Sequence, residues 1–278
     1  MQIAKDMIST ASIFCKSDAV KFQKRCNKEL LTDEEYKTPH PVPQNSYGET
    51  YGEHRENLEF TLDQHRELKE WCSERGIIYS SSVWDLTSAQ EIASLAPEFI
   101  KVPSACNQNK PLISYLCDEY GGEIHISLGM TTIEEESRLI EYIDSKGRAG
   151  NTVIYACTSG YPTPFEELYL LEIQRLVNDY SETVKSIGFS GHHLGIAVDS
   201  AAYTLGAQYI ERHFTLDRTW KGTDHSASLE PDGLRRVTRD LNALYKALKP
   251  KGKAILDIEK MQRDKLKKNQ IIWDNTNS

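Results

Sequence analysis

Two histidines, His192 and His213, each close a short β-like segment, Ile187-Gly188-Phe189-Ser190-Gly191-His192 and Tyr209-Ile210-Glu211-Arg212-His213. They lie 21 positions apart, and the apolar run from Leu194 to Leu205 between them reads as a helix. Parallel strands joined by a helix finish at the same end of a sheet, and neighbours lie about 5 Å apart. Two imidazoles so placed can share one divalent cation. A shell with only two protein ligands stays open, which suits Mn²⁺, Fe²⁺, Co²⁺, Zn²⁺ or Mg²⁺ acting as a Lewis acid on a carbonyl. A structural zinc would call for four protein ligands. Glu211 shares a strand face with His213, while Ile210 and Phe214 take the other, with Arg212 interrupting the apolar side. Charge on an inner face requires a polar cavity there.

The elements that must position these residues alternate regularly. Met1 to Ser17 reads as a helix and Asp18 to Gln23 as a strand. Residues 24 to 60 hold Pro41, Pro43, Asn45, Gly48 and Gly52 and read as a long, functional loop. Helices at Leu62–Glu74, Thr87–Leu95, Pro111–Glu119, Ile133–Lys146, Phe165–Tyr180 and Gly195–Leu205 precede strands at Ile77–Ser81, Phe99–Val102, Ile124–Leu128, Thr152–Ala156, Ser186–Ser190 and Tyr209–Phe214. A helix at Pro231–Leu248 follows. Seven strands in strict alternation predict a parallel sheet with helices outside. Eight units would close a (β/α)8 TIM barrel, and the missing first strand is expected before Met1. The predicted organisation is a barrel over residues 1–248 and a basic tail over 249–278.

Composition limits the function. Of 278 residues, 39% are apolar and 27% charged, enough for a packed core. A net charge of −8 argues against nucleic acid and membrane surfaces as partners. No apolar run spans a bilayer and no signal-peptide core opens the chain, which points to the cytoplasm. Six cysteines without a C-x-x-C pair are expected as free thiols.

Strand alternation sets further polar groups inward: Lys21 and Gln23 opposite Val20 and Phe22, Lys101 between Ile100 and Val102, His125 and Ser127 between apolar neighbours. Ser82, Ser104, Ser159 and Ser190 fall at C-terminal strand ends, where barrel sites lie. Two inward lysines beside hydroxyls make a site for phosphate or carboxylate.

Six motifs occur in order: Asp18 to Gln23, Ser127 to Thr132, Cys157 to Pro164, Gly188 to Gly195, Glu211 to Arg218 and Gly222 to Pro231. Together they resemble the sialic acid synthase (N-acetylneuraminate synthase) family over the chain to about residue 248. The resemblance implies a (β/α)8 barrel that condenses phosphoenolpyruvate with an N-acyl hexosamine, N-acetylmannosamine being typical, to a nine-carbon 2-keto acid and phosphate. It implies His192 and His213 as metal ligands, with Mn²⁺ expected and Mg²⁺ or Co²⁺ as alternatives. Lys21, Lys101, Ser104, Ser127, Ser159 and Ser190 match positions that hold phosphoenolpyruvate, and Ser82 is a further expected substrate-binding residue. Gln23, Tyr161 and Asp224 match the sugar and metal side, and Lys101 and Asp224 are the expected catalytic residues. The implied assembly is a homodimer.

The chain departs from the family pattern at several places. Ser82 replaces a usual threonine, Gly191 a usual aspartate before the first metal histidine, and Cys106 a usual acid. Loss of that aspartate predicts a weaker second shell. Nothing matches the family's first strand, with its glutamate and Asn-His-Asn-Gly-like loop, or its C-terminal antifreeze-like domain. Two alternatives follow: a non-catalytic barrel that binds ligand or partners a full-length synthase, and a related synthase using a phosphorylated aldose.

Overall fold

The structure, a computed structural model, describes residues 1–222 and 224–268. Among the described residues, 1–244 form one compact unit and those from 245 onward a second. Thr223 of the last motif and residues 269–278 of the expected tail lie outside the described residues.

Seven strands form one parallel sheet in chain order: β1 Ala19–Lys24, β2 Ile78–Val83, β3 Phe99–Val102, β4 Glu123–Ser127, β5 Thr152–Cys157, β6 Ser186–Gly191 and β7 Tyr209–Arg212. Laid flat, the outer strands would stand about 29 Å apart. Instead Lys21 of β1 reaches Glu211 of β7 at 3.9 Å, so the sheet curls. It is an open seven-stranded barrel, since β1 and β7 are not paired with each other among the described residues.

Helices α1 Gln2–Ser9, α2 Asn27–Leu30, α3 Asp33–Lys37 and α4 Tyr51–Leu58 precede α5 Leu62–Glu74, α6 Leu86–Ser94, α7 Lys110–Glu119 and α8 Ile133–Ser145. Then come α9 Glu172–Tyr180, α10 Ala197–Thr204, α11 Pro231–Ala247 and α12 Asp257–Leu266. The outward strand residues Val83, Ile100, Ile124, Ile154 and Ile187 pack with helix residues such as Ile92, Leu112, Leu116 and Ile140 in the main core. A smaller core joins Ile8 and Leu68 to Ile77 and Tyr79, with Val20 and Phe22 against it. The predicted strand faces therefore hold.

Three expectations need correction. The first helix gives way at Thr10 to a wider π-helical turn through Cys15, closed by Lys16 in the left-handed region. The long loop after β1 is a helical excursion, because Thr32 with Glu35 and Thr50 with Glu53 build reciprocal capping boxes that start α3 and α4. The helix expected at Phe165–Tyr180 begins only at Glu172, after a separate 3-10 turn at Phe165–Glu167 and a left-handed Tyr169 (φ 45°).

Two core histidines make stability pH-dependent. His65, on the buried face of α5, bonds the Tyr79 hydroxyl at 2.7 Å, and His125, inside the barrel, bonds the Tyr155 hydroxyl at 2.8 Å. Burial, with the Lys24 charge adding, pushes His65 down to about 4; burial and the Lys101 charge do the same to His125. An unfolded histidine titrates near 6.5, so between pH 4 and 6.5 the unfolded chain binds more protons and stability rises with pH. We expect the full contribution above pH 6.5, roughly 3 kcal/mol per histidine at most, to fade as pH falls toward 4. Urea unfolding midpoints at pH 7.5 and 5 measure this, and equal midpoints would contradict it.

Candidate active site

The inward groups meet where alternation placed them, and Glu211 organises them. Its Oε2 accepts from Lys101 Nζ at 3.0 Å, its Oε1 accepts from the Ser190 hydroxyl at 3.1 Å, and Lys21 stands 3.9 Å away. Lys21 also donates to the Ser82 hydroxyl at 2.8 Å. Lys101 is 1% exposed and lies over the Tyr155 ring, 3.6 Å from its centre. Burial pulls the Lys101 pKa down and Lys21 adds to this, while Glu211 opposes it. Burial alone would raise Glu211, but the two ammonium groups and His213 outweigh it and hold the carboxyl well below the usual range. Two cations and one anion leave this pocket with one net positive charge.

Beside it lies a hydroxyl cradle. Gly129 N–H donates to Ser104 Oγ at 3.0 Å. A Cβ on Gly129 would fall 2.5 Å from Ser159 Oγ and 2.7 Å from Ser104 Oγ, so only glycine lets these serines converge. Among the described residues Ser159 Oγ is buried without a hydrogen-bond partner, an acceptor and donor available to a ligand. Ser104 also reaches Cys157 Sγ at 3.7 Å. Burial would raise Cys157, yet His192, Ser104 and Lys101 around it leave its pKa below the ordinary thiol value. Ser127, 4% exposed, follows His125 on the inner face of β4.

The two histidines face each other at ring centres 5.1 Å apart and 81° between planes. His192 Nδ1 donates to the Thr158 carbonyl at 3.1 Å, which fixes the tautomer and places the ring's lone pair on Nε2. A backbone carbonyl orienting a ligand histidine in this way is a common second-shell arrangement. Tyr161 covers the pair, 4.4 Å from the His192 ring and 5.7 Å from that of His213. Asp224 Oδ2 lies 3.8 Å from His213 Nδ1. Among the described residues no set of three His, Cys, Asp or Glu side chains stands ready for a metal. The donors fit an open shell of two imidazoles, the remaining positions being left to water and substrate oxygens.

The glycine at 191 acquires a reason. A Cβ there would lie 2.7 Å from the Phe189 ring and 3.0 Å from His193. His193, adjacent in sequence to His192, turns the other way and meets Arg212 Nη1 at 2.9 Å; Arg212 in turn pairs with Asp199 of α10 at 2.6 Å. Arg212, the charge that interrupted the apolar face of β7, is thus a buried tie between the two histidine-bearing strands and their connecting helix. At Cys106, where the family has an acid, the buried thiol donates to the Trp84 carbonyl at 3.1 Å.

Gln23 accepts from Trp84 Nε1 at 3.0 Å at the mouth. Sequence reasoning placed Glu211 inward but gave it no role, and gave none to Cys157 or Tyr155. The available signal was spacing: Glu211 lies two residues before His213, on the same face.

A model of the NeuB family matches residues 7–253. The N-acetylneuraminate-9-phosphate synthase of Mus musculus is 36% identical, over 98% of this chain and 74% of that protein. The N,N'-diacetyllegionaminic acid synthase of Campylobacter jejuni is 30% identical, over 89% and 73%. The crystal structure of N-acetylneuraminic acid (sialic acid) synthetase from Leptospira borgpetersenii, in complex with citrate, superposes with a TM-score of 0.78 at 24% identity, covering 96% of this chain and 87% of that one, and so supports the fold. The chain belongs to the NeuB family, related to sugar-acid synthases along nearly its whole length.

Proposed function

We propose that this protein joins phosphoenolpyruvate to the aldehyde of an open-chain N-acyl hexosamine. C3 of phosphoenolpyruvate bonds to the aldehyde carbon, water adds at C2, and the C2–O bond to phosphate breaks, giving a nine-carbon 2-keto acid. The observation that carries this reading is the adjacency of an anion pocket, Lys21 and Lys101 around Glu211, to the paired imidazoles of His192 and His213.

Lys21 and Lys101 receive the phosphate and carboxylate, with Ser82, Ser104, Ser127, Ser159 and Ser190 as hydroxyl partners. Charge stabilisation of this kind is where most enzymatic acceleration comes from. His192 and His213 would hold a divalent cation, Mn²⁺ in first place, with Mg²⁺ or Co²⁺ as alternatives. When bound it supplies Lewis-acid polarisation of the aldehyde oxygen. Tyr161 and Gln23 orient the sugar, Tyr161 also shielding the histidines from water. Asp224, facing His213, handles the proton delivered to the new hydroxyl.

The relative from mouse is named for a 9-phosphate product. Carbon 9 of such a product comes from carbon 6 of the aldose, so a 6-phosphorylated N-acyl hexosamine is the second reading of the substrate.

Phosphate release tests the proposal, with phosphoenolpyruvate, Mn²⁺ and either N-acetylmannosamine or its 6-phosphate. Release is expected to need all three components and to stop on chelation. No release with either sugar from metal-loaded protein would overturn it.

A further inference from the structure

A lysine as deeply buried as Lys101 needs a seat, and its seat is built from groups that the proposed condensation does not use. The interior of a barrel is ordinarily filled by branched apolar side chains. Here Phe99, His125, Tyr155 and Tyr209, from four different strands, gather in it instead. The Phe99 ring stacks on His125 with centres 4.2 Å apart, and Tyr209 meets His125 edge-on at 5.1 Å. His125 and Tyr155 are 1% and 3% exposed.

Tyr155 offers its ring face to Lys101 and its hydroxyl to His125. The Lys101 ammonium stands 3.6 Å from the ring centre, well inside the range of a cation–π contact. An ammonium carries three N–H donors. Among the described residues one goes to Glu211 Oε2 at 3.0 Å, and no second acceptor is bonded. The aromatic face thus holds the charge where no oxygen is offered, and donors remain for an incoming anion. Lys21 of β1 and Cys157 of β5 are the other titratable groups that face it.

The ring itself is held from two sides. Glu123, at the start of β4, lies 3.4 Å from His125 Nε2 and as a carboxylate can only accept. His125 Nε2 therefore carries the proton, and Nδ1 accepts from the Tyr155 hydroxyl at 2.8 Å. A phenol that donates its proton in this way gains electron density, which favours a cation on its face. On β6, Gly188 is the register partner of Tyr155, and a Cβ there would fall 2.5, 2.6 and 3.0 Å from three atoms of the ring. The ring occupies the space that a side chain at 188 would take. His125 must stay neutral, since a second proton would set a further cation beside Lys101. Burial, with the Lys101 charge adding, pushes its pKa down to about 4 against the opposing pull of Glu123 and Glu211.

We infer, resting on the assignment of Lys101 to phosphoenolpyruvate, that Tyr155 anchored by His125 is a positioning residue, which seats the Lys101 ammonium for that anion. Without the ring, Glu211 alone would hold the ammonium and draw it away from the substrate.

Titration calorimetry of phosphoenolpyruvate into Mn²⁺-loaded protein, without sugar, measures the effect. A desolvated cation–π contact is worth a factor of about 30 in affinity, so Tyr155→Leu is expected to raise the dissociation constant by about that factor. Tyr155→Phe keeps the ring and gives up only the bond to His125, and should stay within about fivefold of wild type. Loss of folded protein lowers the number of binding sites and not the affinity of those that remain, so a purely structural role leaves the constant unchanged. If Tyr155→Leu does not fold, Tyr155→Met fills the space without a ring, and the same loss is expected of it. A loss under about tenfold in the ring-free variant, or a Tyr155→Phe protein as weak as that variant, overturns the seat. Wild-type protein that binds no phosphoenolpyruvate would instead remove the anion pocket itself, and this inference with it.

Discussion

Lys101→Met is expected to lower kcat/KM for phosphoenolpyruvate by about three orders of magnitude. A unit charge about 4 Å from an anion is worth roughly 4 kcal/mol at the effective dielectric of a protein site, which corresponds to that factor. Lys101 is buried against Tyr155 and 3.0 Å from Glu211, so its charge is held in place and poorly screened. Its removal takes the pocket from one net positive charge to zero and leaves Glu211 facing the incoming phosphate with only Lys21 at 3.9 Å. Part of the loss is therefore repulsion from Glu211, and the double variant Lys101→Met/Glu211→Gln should recover at least tenfold in phosphoenolpyruvate affinity. Lys101→Arg should not restore turnover, because a planar fork cannot replace a compact ammonium 3.6 Å above an aromatic ring. A Lys101→Met protein within tenfold of wild type would remove the anion pocket from the mechanism.

The same residues show what a sequence can and cannot disclose. Lys21, Lys101, His125 and Ser127 were legible as inward because a parallel strand alternates strictly and the apolar partner of each faces the helices. His192 and His213 were legible because a strand–helix–strand unit returns to the same edge. Glu211 shared their face, but which inner charges pair depends on curvature: only a curled sheet lets β7 reach β1. Arg212 was opaque for a related reason, since its partner Asp199 lies on a helix, 13 residues earlier. The excursion after β1 reads as loop by composition, although its capping signatures, Thr32 with Glu35 and Thr50 with Glu53, stand in the sequence. Short helices of four to eight residues offer too few turns for an apolar period to register. The reading of Gly191 as a weakened second shell assumed that only a side chain could orient His192; the Thr158 carbonyl does so instead.

His192→Ala and His213→Ala test whether one ion joins the two strands. Mutating a group that merely supports a metal ligand costs about 10- to 100-fold in affinity, so deleting either imidazole should weaken Mn²⁺ binding by at least about 100-fold. Each loss is measured by Mn²⁺ titration without substrate, so turnover does not enter. The double variant discriminates between arrangements. If both rings hold the same ion, the first deletion already removes most of the binding and the second adds little, so the losses fall well short of multiplying. If each ring served a different partner, the two losses would multiply. His193→Gln is the internal control: its ring is bonded to Arg212 on the outer side of β6, so it should change thermal stability more than Mn²⁺ affinity. Ring centres 5.1 Å apart allow a shared ion, and multiplicative losses would show that these two imidazoles do not hold one.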